Sequence, residues 1–194
     1  MTDYIRNIVN NQNVTLQATL IRGATILSMD ESVGNMERGD ILINGSTITA
    51  VGQNLDAPGA HVIDATNMIA MPGMVDSHRH AWEGQLRRIN PNATCLDDYS
   101  NATHFSFARY YRPEDIYVGN LLTALGAIDA GITTMIDNSH NSRTAAHADA
   151  AVEALLDAGI RAIHASGAPV AGEWDKAHWP GNWQRLQEKY FRDN

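Results

Sequence analysis

Met71-Pro72-Gly73-Met74-Val75-Asp76-Ser77-His78-Arg79-His80 is the stretch on which the reading of this chain turns. A proline–glycine break leads into a short apolar run, and the run ends in two histidines separated by one residue. Side chains two apart on an extended strand point to the same side. The strand therefore brings two imidazoles to one place just as it runs out, which is how a strand presents two nitrogen ligands to a metal. The sequence on either side gives the pair its weight.

Upstream, Thr19–Ile21, Ala24–Leu27, Asp40–Asn44, Thr47–Val51 and His61–Asp64 are short β-rich segments. Turn signals at Gly23, Gly39, Asn44-Gly45, Gly52 and Pro58-Gly59 separate them. Asn44-Gly45 between two apolar runs predicts a hairpin. Residues 15–70 thus read as a small antiparallel β module. Residues 1–14, polar and rich in asparagine, read as a flexible leader without the layout of a secretory signal.

Downstream the pattern changes to β/α alternation, and residues 71–194 form the second region. Met74–His78 is a buried strand. Pro113-Glu114-Asp115 opens a helix, with an apolar stripe of Val118, Leu121, Leu122, Leu125 and Ile128, and Gly131 stops it. Ile132–Ile136 is the next strand. Ala145–Ala158 is a helix facing inward through Ala148, Val152, Leu155 and Leu156, closed by Gly159, and Ile160–Ile163 is a third strand. Trp183, Leu186, Tyr190 and Phe191 start another helix. Such alternation implies right-handed crossovers and a parallel sheet. No G-x-G-x-x-G follows a strand, which disfavours a dinucleotide fold. A histidine pair at a strand's C-terminal end fits a (β/α)8 barrel, whose chemistry gathers there.

Composition narrows the partners. The chain has 194 residues, 44% of them hydrophobic, and a formal net charge of −8 without a Lys/Arg cluster. That argues against a nucleic-acid or anionic-membrane partner and does not reveal the substrate. The one cysteine, Cys95, suits a reducing compartment. No apolar run reaches the ~18 residues of a membrane span, so a cytoplasmic protein is expected.

The β module followed by Ala70-Met71-Pro72-Gly73-Met74-Val75-Asp76-Ser77-His78-Arg79-His80 resembles the amidohydrolase superfamily of metal-dependent (β/α)8 hydrolases, whose hallmark is P-G-x-V-D-x-H-x-H at the end of the first barrel strand. Ala81-Trp82-Glu83-Gly84-Gln85-Leu86-Arg87 is most similar to the branch holding cytosine, guanine and S-adenosylhomocysteine deaminases and the triazine chlorohydrolases. Ala130–Asp137 and Asp157–Arg161 match the second- and third-strand entries of that branch.

The resemblance implies that residues 15–70 are the N-terminal part of a β-sandwich module and that 71–194 are about the first three β/α units of an incomplete TIM-type barrel. It implies a divalent metal on His78 and His80: Zn²⁺, with Fe²⁺ or Mn²⁺ as alternatives. Such an ion lowers the pKa of a bound water from ~15.7 to near 7, which suits attack on an electrophilic carbon. Hydrolysis of a carbon–nitrogen (non-peptide) bond of a small cyclic substrate follows, with deamination as the first expectation and dechlorination or ring opening beside it. The family's remaining metal ligands and proton-transfer residues fall on later strands, so no catalytic residue is assigned. The chain reads as the N-terminal portion of a longer hydrolase, inactive alone and oligomeric when complete. The alternative is a non-catalytic chain that binds a metal or ligand, or completes a barrel with a second polypeptide.

Residues 81–112 are long for a connection, and such loops form substrate walls in barrels. Trp82 and Glu83, directly after the histidine pair, are candidates to contact substrate. Asn138 and His140, after the second strand, are two more. Strand parity leaves open whether Asp137 or Asn138 faces inward. Asp76 reads either as a carboxylate orienting a ligand or as a plain strand hydrogen-bonder.

Overall fold

A computed structural model describes residues 17–90, 92–177 and 179–191, with the side chains of 179–181 excepted; the expected leader at 1–14 lies outside the described residues. The chain divides into two units, Met1–Pro72 and Gly73–Asn194.

In the first unit, β1 (Thr19–Ile26), β2 (Met36–Asn44), β3 (Thr47–Gly52), β4 (His61–Asp64) and β5 (Ile69–Ala70) form one sheet in the order β3-β2-β1-β4, with β5 on β1. The Asn44-Gly45 signal yields the β2–β3 hairpin, and Gly45 takes a φ of 60° that favours glycine. The sheet is mixed, however, not antiparallel throughout. β4 and β5 run parallel to β1. The cause is the 53–60 connection, which crosses the sheet instead of turning back beside β3. Leu55 marks the crossing: its N–H donates to Asp40 Oδ2 on β2 (2.9 Å) and its carbonyl accepts from Arg22 Nη2 on β1 (3.3 Å). Asp40 is buried, and its other oxygen accepts from Gly23 N (2.9 Å), so one carboxylate ties three segments together. Ala24, Ile26 and Ala65 form the core with Met36, Ile41 and Val51 around them.

The second unit is a parallel sheet in the order β6 (Met74–Arg79), β7 (Ile132–Ser139), β8 (Arg161–Ser166). Between β6 and β7 lie a 3₁₀ turn (Ala81–Leu86), α1 (Leu96–Ala102), further helical turns over 103–110, and α2 (Pro113–Asp129). The stretch expected as a loop is therefore largely helical. α3 (Ala145–Ala158) joins β7 to β8, and α4 (Trp179–Tyr190) follows. Pro113 starts α2, with Asp115 Oδ2 accepting from Arg112 N (2.9 Å). Gly131 (φ 81°) and Gly159 (φ 73°) end the two long helices as expected.

α2 and α3 cover one face of the sheet, packing Ala124, Ala127 and Leu155 on Met135. The face that α2 buries is not the expected stripe. Val118, Leu122, Leu125 and Ile128 are about half exposed, while Ile116, Gly119, Asn120, Ala124 and Ala127 are buried. Backbone proximity decides this. A β-carbon on Gly119 would sit 2.3 Å from the carbonyl oxygen of Trp82, and one on Gly84 would sit 2.5 Å from that of Gly119. Only small residues let the helix and the 3₁₀ turn approach so closely. In α3, Ala148, Val152 and Leu155 are buried as expected, and Leu156 is exposed. Among the described residues no helix is long and apolar enough to cross a membrane.

Candidate metal half-site and pocket wall

His78 and His80 converge at the C-terminal end of β6, their Nε2 atoms 3.3 Å apart and their rings edge-on. Two zinc–nitrogen bonds of ~2.0–2.1 Å at a tetrahedral angle put their nitrogens roughly 3.3–3.4 Å apart. The pair therefore spans one edge of a zinc tetrahedron, and the donors fit the ion. A register shift between Asp76 and Arg79 carries an extra residue on β6. Arg79 then pairs with Asp137, which faces the helices, and the two histidines flank it on the other face.

His80 is anchored twice. Its Nδ1–H donates to the carbonyl of Asn138 (2.9 Å), and its ring stacks on His140 with centroids 4.3 Å apart. With the proton on Nδ1, the Nε2 lone pair is free for a cation. Asp76 does not reach either imidazole. It accepts from His78 N (3.1 Å) and pairs with Arg79 (2.6 Å), the plain strand role. Burial opposes its charge, but those bonds outweigh it and hold its carboxyl below the usual range.

The candidate contact residues part company in the structure. Trp82 is fully buried, packed with Ala108, Ile116 and Ala151. Small neighbours on α2 and α3 open a slot that the indole fills. Its N–H donates to His140 Nδ1 (3.0 Å). Because indole only donates, Nδ1 is unprotonated and a neutral His140 carries its proton on Nε2. Burial, with the charges of His80, His104 and His78 added, pulls His140 down to about 4, so the ring is neutral at pH 7.

Glu83 is half-buried and accepts from the Tyr99 hydroxyl. Burial raises its carboxyl despite that bond and the nearby His80. Asn138 contributes its carbonyl to His80, and its side chain lies on the face opposite Asp137, which settles the parity question. Glu83, His104 and His140 each bring a donor atom within 4.8 Å of one another. Trp82 engages Nδ1 of His140 and Tyr99 engages Oε1 of Glu83. A groove of about 730 Å³ opens beside it, lined by His78, His80, Glu83, Tyr99 and Leu122 among others.

Two further residues, His104 and Asp137, belong to the same neighbourhood. His104 is buried, edge-on to His140 and Tyr99. A π-helical turn over Thr103–Phe107 brings it there, and no local pattern announces such a turn. Asp137 is fully buried with three hydrogen-bond donors around it. Alternation along a strand could have flagged it only with the sheet's faces known.

No family model matches the chain. A 5-methylthioadenosine/S-adenosylhomocysteine deaminase of Pelotomaculum thermopropionicum is 35% identical over 152 residues, 76% of this chain and 34% of the relative. One from Syntrophus aciditrophicus is 33% identical over 123 residues, 61% of this chain and 28% of the relative. The crystal structure of atrazine chlorohydrolase from Arthrobacter aurescens, complexed with zinc, superposes with a TM-score of 0.76 at 27% identity, over 91% of this chain and 44% of that one. The chain spans about a third of the length of the curated relatives it matches. It is similar, over about a third of their length, to deaminases of the amidohydrolase superfamily, and its fold matches that of a triazine-type hydrolase of the same superfamily.

Proposed function

We propose that this chain is the N-terminal part of a metal-dependent hydrolase that cleaves a carbon–nitrogen (non-peptide) bond of a small cyclic substrate, with deamination as the reaction. The observation that carries the reading is the convergence of His78 and His80 Nε2 at 3.3 Å, with His80 Nδ1 engaged elsewhere. On this reading the β6-β7-β8 sheet is the first three units of a (β/α)8 barrel, and the first unit is part of a β-sandwich. Zinc, held by His78, His80 and ligands from outside these residues, would supply Lewis acidity and a water that ionises near neutral pH.

The chain's own residues do the rest. Asn138 fixes His80 in the tautomer that leaves Nε2 unprotonated. His140, neutral and backed by Trp82, offers an N–H to a ring nitrogen or exocyclic acceptor. Glu83, with its carboxyl raised by burial, stands ready to hold a proton beside the same ring. The comparisons support a planar nitrogen heterocycle with a leaving group: the relatives' names specify adenosine derivatives, and the structural neighbour's specifies atrazine. Two imidazoles make half of a tetrahedral set, so this chain alone binds zinc weakly and is inactive. The test is metal analysis and ammonia release on an azine and purine panel for the chain joined to its missing barrel units, beside His78→Ala. Zinc retained and ammonia formed by the wild type but not by the variant is expected. A His78→Ala protein that keeps both refutes the reading.

A further inference from the structure

We infer that Asp137 is the positioning residue of the metal half-site, acting on His80 through the main chain. This rests on the reading of His78 and His80 as metal ligands. Asp137 is 0% exposed on β7. Its Oδ1 accepts from the N–H of Ala81, the residue directly after His80 (3.1 Å). Its Oδ2 accepts from Asn120 Nδ2 on α2 and from His164 Nδ1 on β8, both 3.3 Å away. The next residue, Asn138, uses its carbonyl to take the His80 Nδ1 proton (2.9 Å). Two successive residues of one strand thus hold His80 from opposite sides, one by the backbone that follows it and one by its ring.

The grip matters because β6 departs from regular pairing here. After the register shift between Asp76 and Arg79 the ladder resumes at Arg79–Asp137 and ends there, so His80 and Ala81 lie beyond it. The bond from Ala81 to Asp137 takes over that task. It sets the height of His80 against β7, which in turn decides whether Nδ1 reaches the Asn138 carbonyl. Asn120 and His164 hold the carboxylate in place but do not touch the β6 strand end.

The arrangement separates a positioning role from a purely structural one. Asp137→Ala removes the acceptor on Ala81. Asp137→Asn can keep it, because the Asn120 amide, whose Oδ1 has no partner, can turn to receive the new NH₂. Asn120→Ala removes a partner of Asp137 and leaves the Ala81 bond. The readouts are the His80 tautomer from ¹⁵N imidazole spectra of the metal-free chain, and its affinity for Zn²⁺ alone. Asp137→Ala should lose the Nδ1–H tautomer and weaken zinc binding by about 10–100-fold, the range for ligand-orienting groups. Asp137→Asn should restore both, and Asn120→Ala should lower the melting temperature with affinity kept within about threefold. If Asp137→Ala keeps the tautomer, or Asn120→Ala loses it equally, the assignment falls. If the wild type binds no zinc, the metal reading fails by itself, and the tautomer comparison still decides the role of Asp137. Should Asp137→Ala not fold, amide exchange in the wild type decides: slow exchange at Ala81 before metal is added supports the grip, and exchange at the rate of an open loop overturns it.

Discussion

Gly119 and Gly126 lie on the same helix, and the same substitution at each should move stability in opposite directions. In a helix interior alanine is favoured over glycine by about 0.8–1.0 kcal/mol. At Gly126 nothing lies within 4 Å of the added β-carbon. Gly126→Ala should therefore stabilise the fold by most of that amount. At Gly119 the β-carbon would lie 2.3 Å from the Trp82 carbonyl oxygen and 2.9 Å from its carbon. Ordinary contact begins roughly 1 Å further out, and the obstacle is backbone, which cannot rotate aside. Overpacking of this kind costs about 1–3 kcal/mol, and backbone against backbone belongs at the upper end. Less the helix gain, Gly119→Ala should destabilise by about 2 kcal/mol, roughly 3 kcal/mol away from Gly126→Ala. Urea unfolding followed by far-UV circular dichroism, with the slope held common, measures both. Two shifts of the same sign, or a Gly119→Ala loss under about 0.5 kcal/mol, would refute the close approach of α2 to the 3₁₀ turn.

Three further outcomes are expected. Trp82→Phe keeps the buried ring but removes the donor to His140, so it should cost about 1–2 kcal/mol for the unsatisfied nitrogen and shift His140 from its Nε2–H tautomer in ¹⁵N spectra. Arg143, buried, donates to the carbonyls of Ala108, Glu173 and Ala171 at 3.1, 2.8 and 2.6 Å; Arg143→Lys cannot span all three, so limited proteolysis should cut residues 167–177 faster than in the wild type. His147 is lowered by burial first and by Arg143, although its bond to Tyr111 O works the other way. A histidine whose folded pKa lies below its unfolded value of ~6.5 takes up its proton first in the unfolded chain. Its stabilising share is therefore present above about pH 6.5 and is lost as pH falls from there towards the folded value. Melting temperatures of His147→Gln should fall less steeply than the wild type's over that interval, and parallel curves would contradict the assignment.

The elements with local causes were legible in the sequence. Pro113, Gly131 and Gly159 bound their helices because ring geometry and left-handed backbone act at one residue, and the Asn44-Gly45 turn formed for the same reason. The histidine pair was legible because period-two alternation is also local. What was hidden depends on residues far apart in the chain. The leucines of α2 form a regular stripe, yet the helix buries its glycine and alanines, because the 3₁₀ turn after His80 approaches too closely for anything larger. Trp82 reads as a pocket wall because it follows the histidine pair. Its slot is built from Ala108, Ile116 and Ala151, which no neighbouring residue reveals. The crossing of 53–60 over the first sheet likewise turns on Asp40 meeting Leu55, a pairing that strand patterns do not encode.

The long-range contacts of the second unit share a target. The residues just after His80 are tied by Ala81 N to Asp137 (3.1 Å), by Ala81 O to the Thr123 hydroxyl (2.8 Å), and by the Trp82 backbone lying against Gly119. The ties come from two elements: β7, and adjacent turns on one face of the middle of α2. His78, by contrast, is exposed, and among the described residues its ring hydrogen-bonds only with His80. A ligand fixed before the ion arrives spares the side-chain ordering cost of binding, about 1 kcal/mol for a side chain of this size. On the proposed metal reading, one fixed and one adjustable nitrogen define a tetrahedral edge that would still admit an ion, and the ion would set the final placement of His78. The backbone contacts then fall on His80, where error would move the whole edge, and leave His78 free to close it.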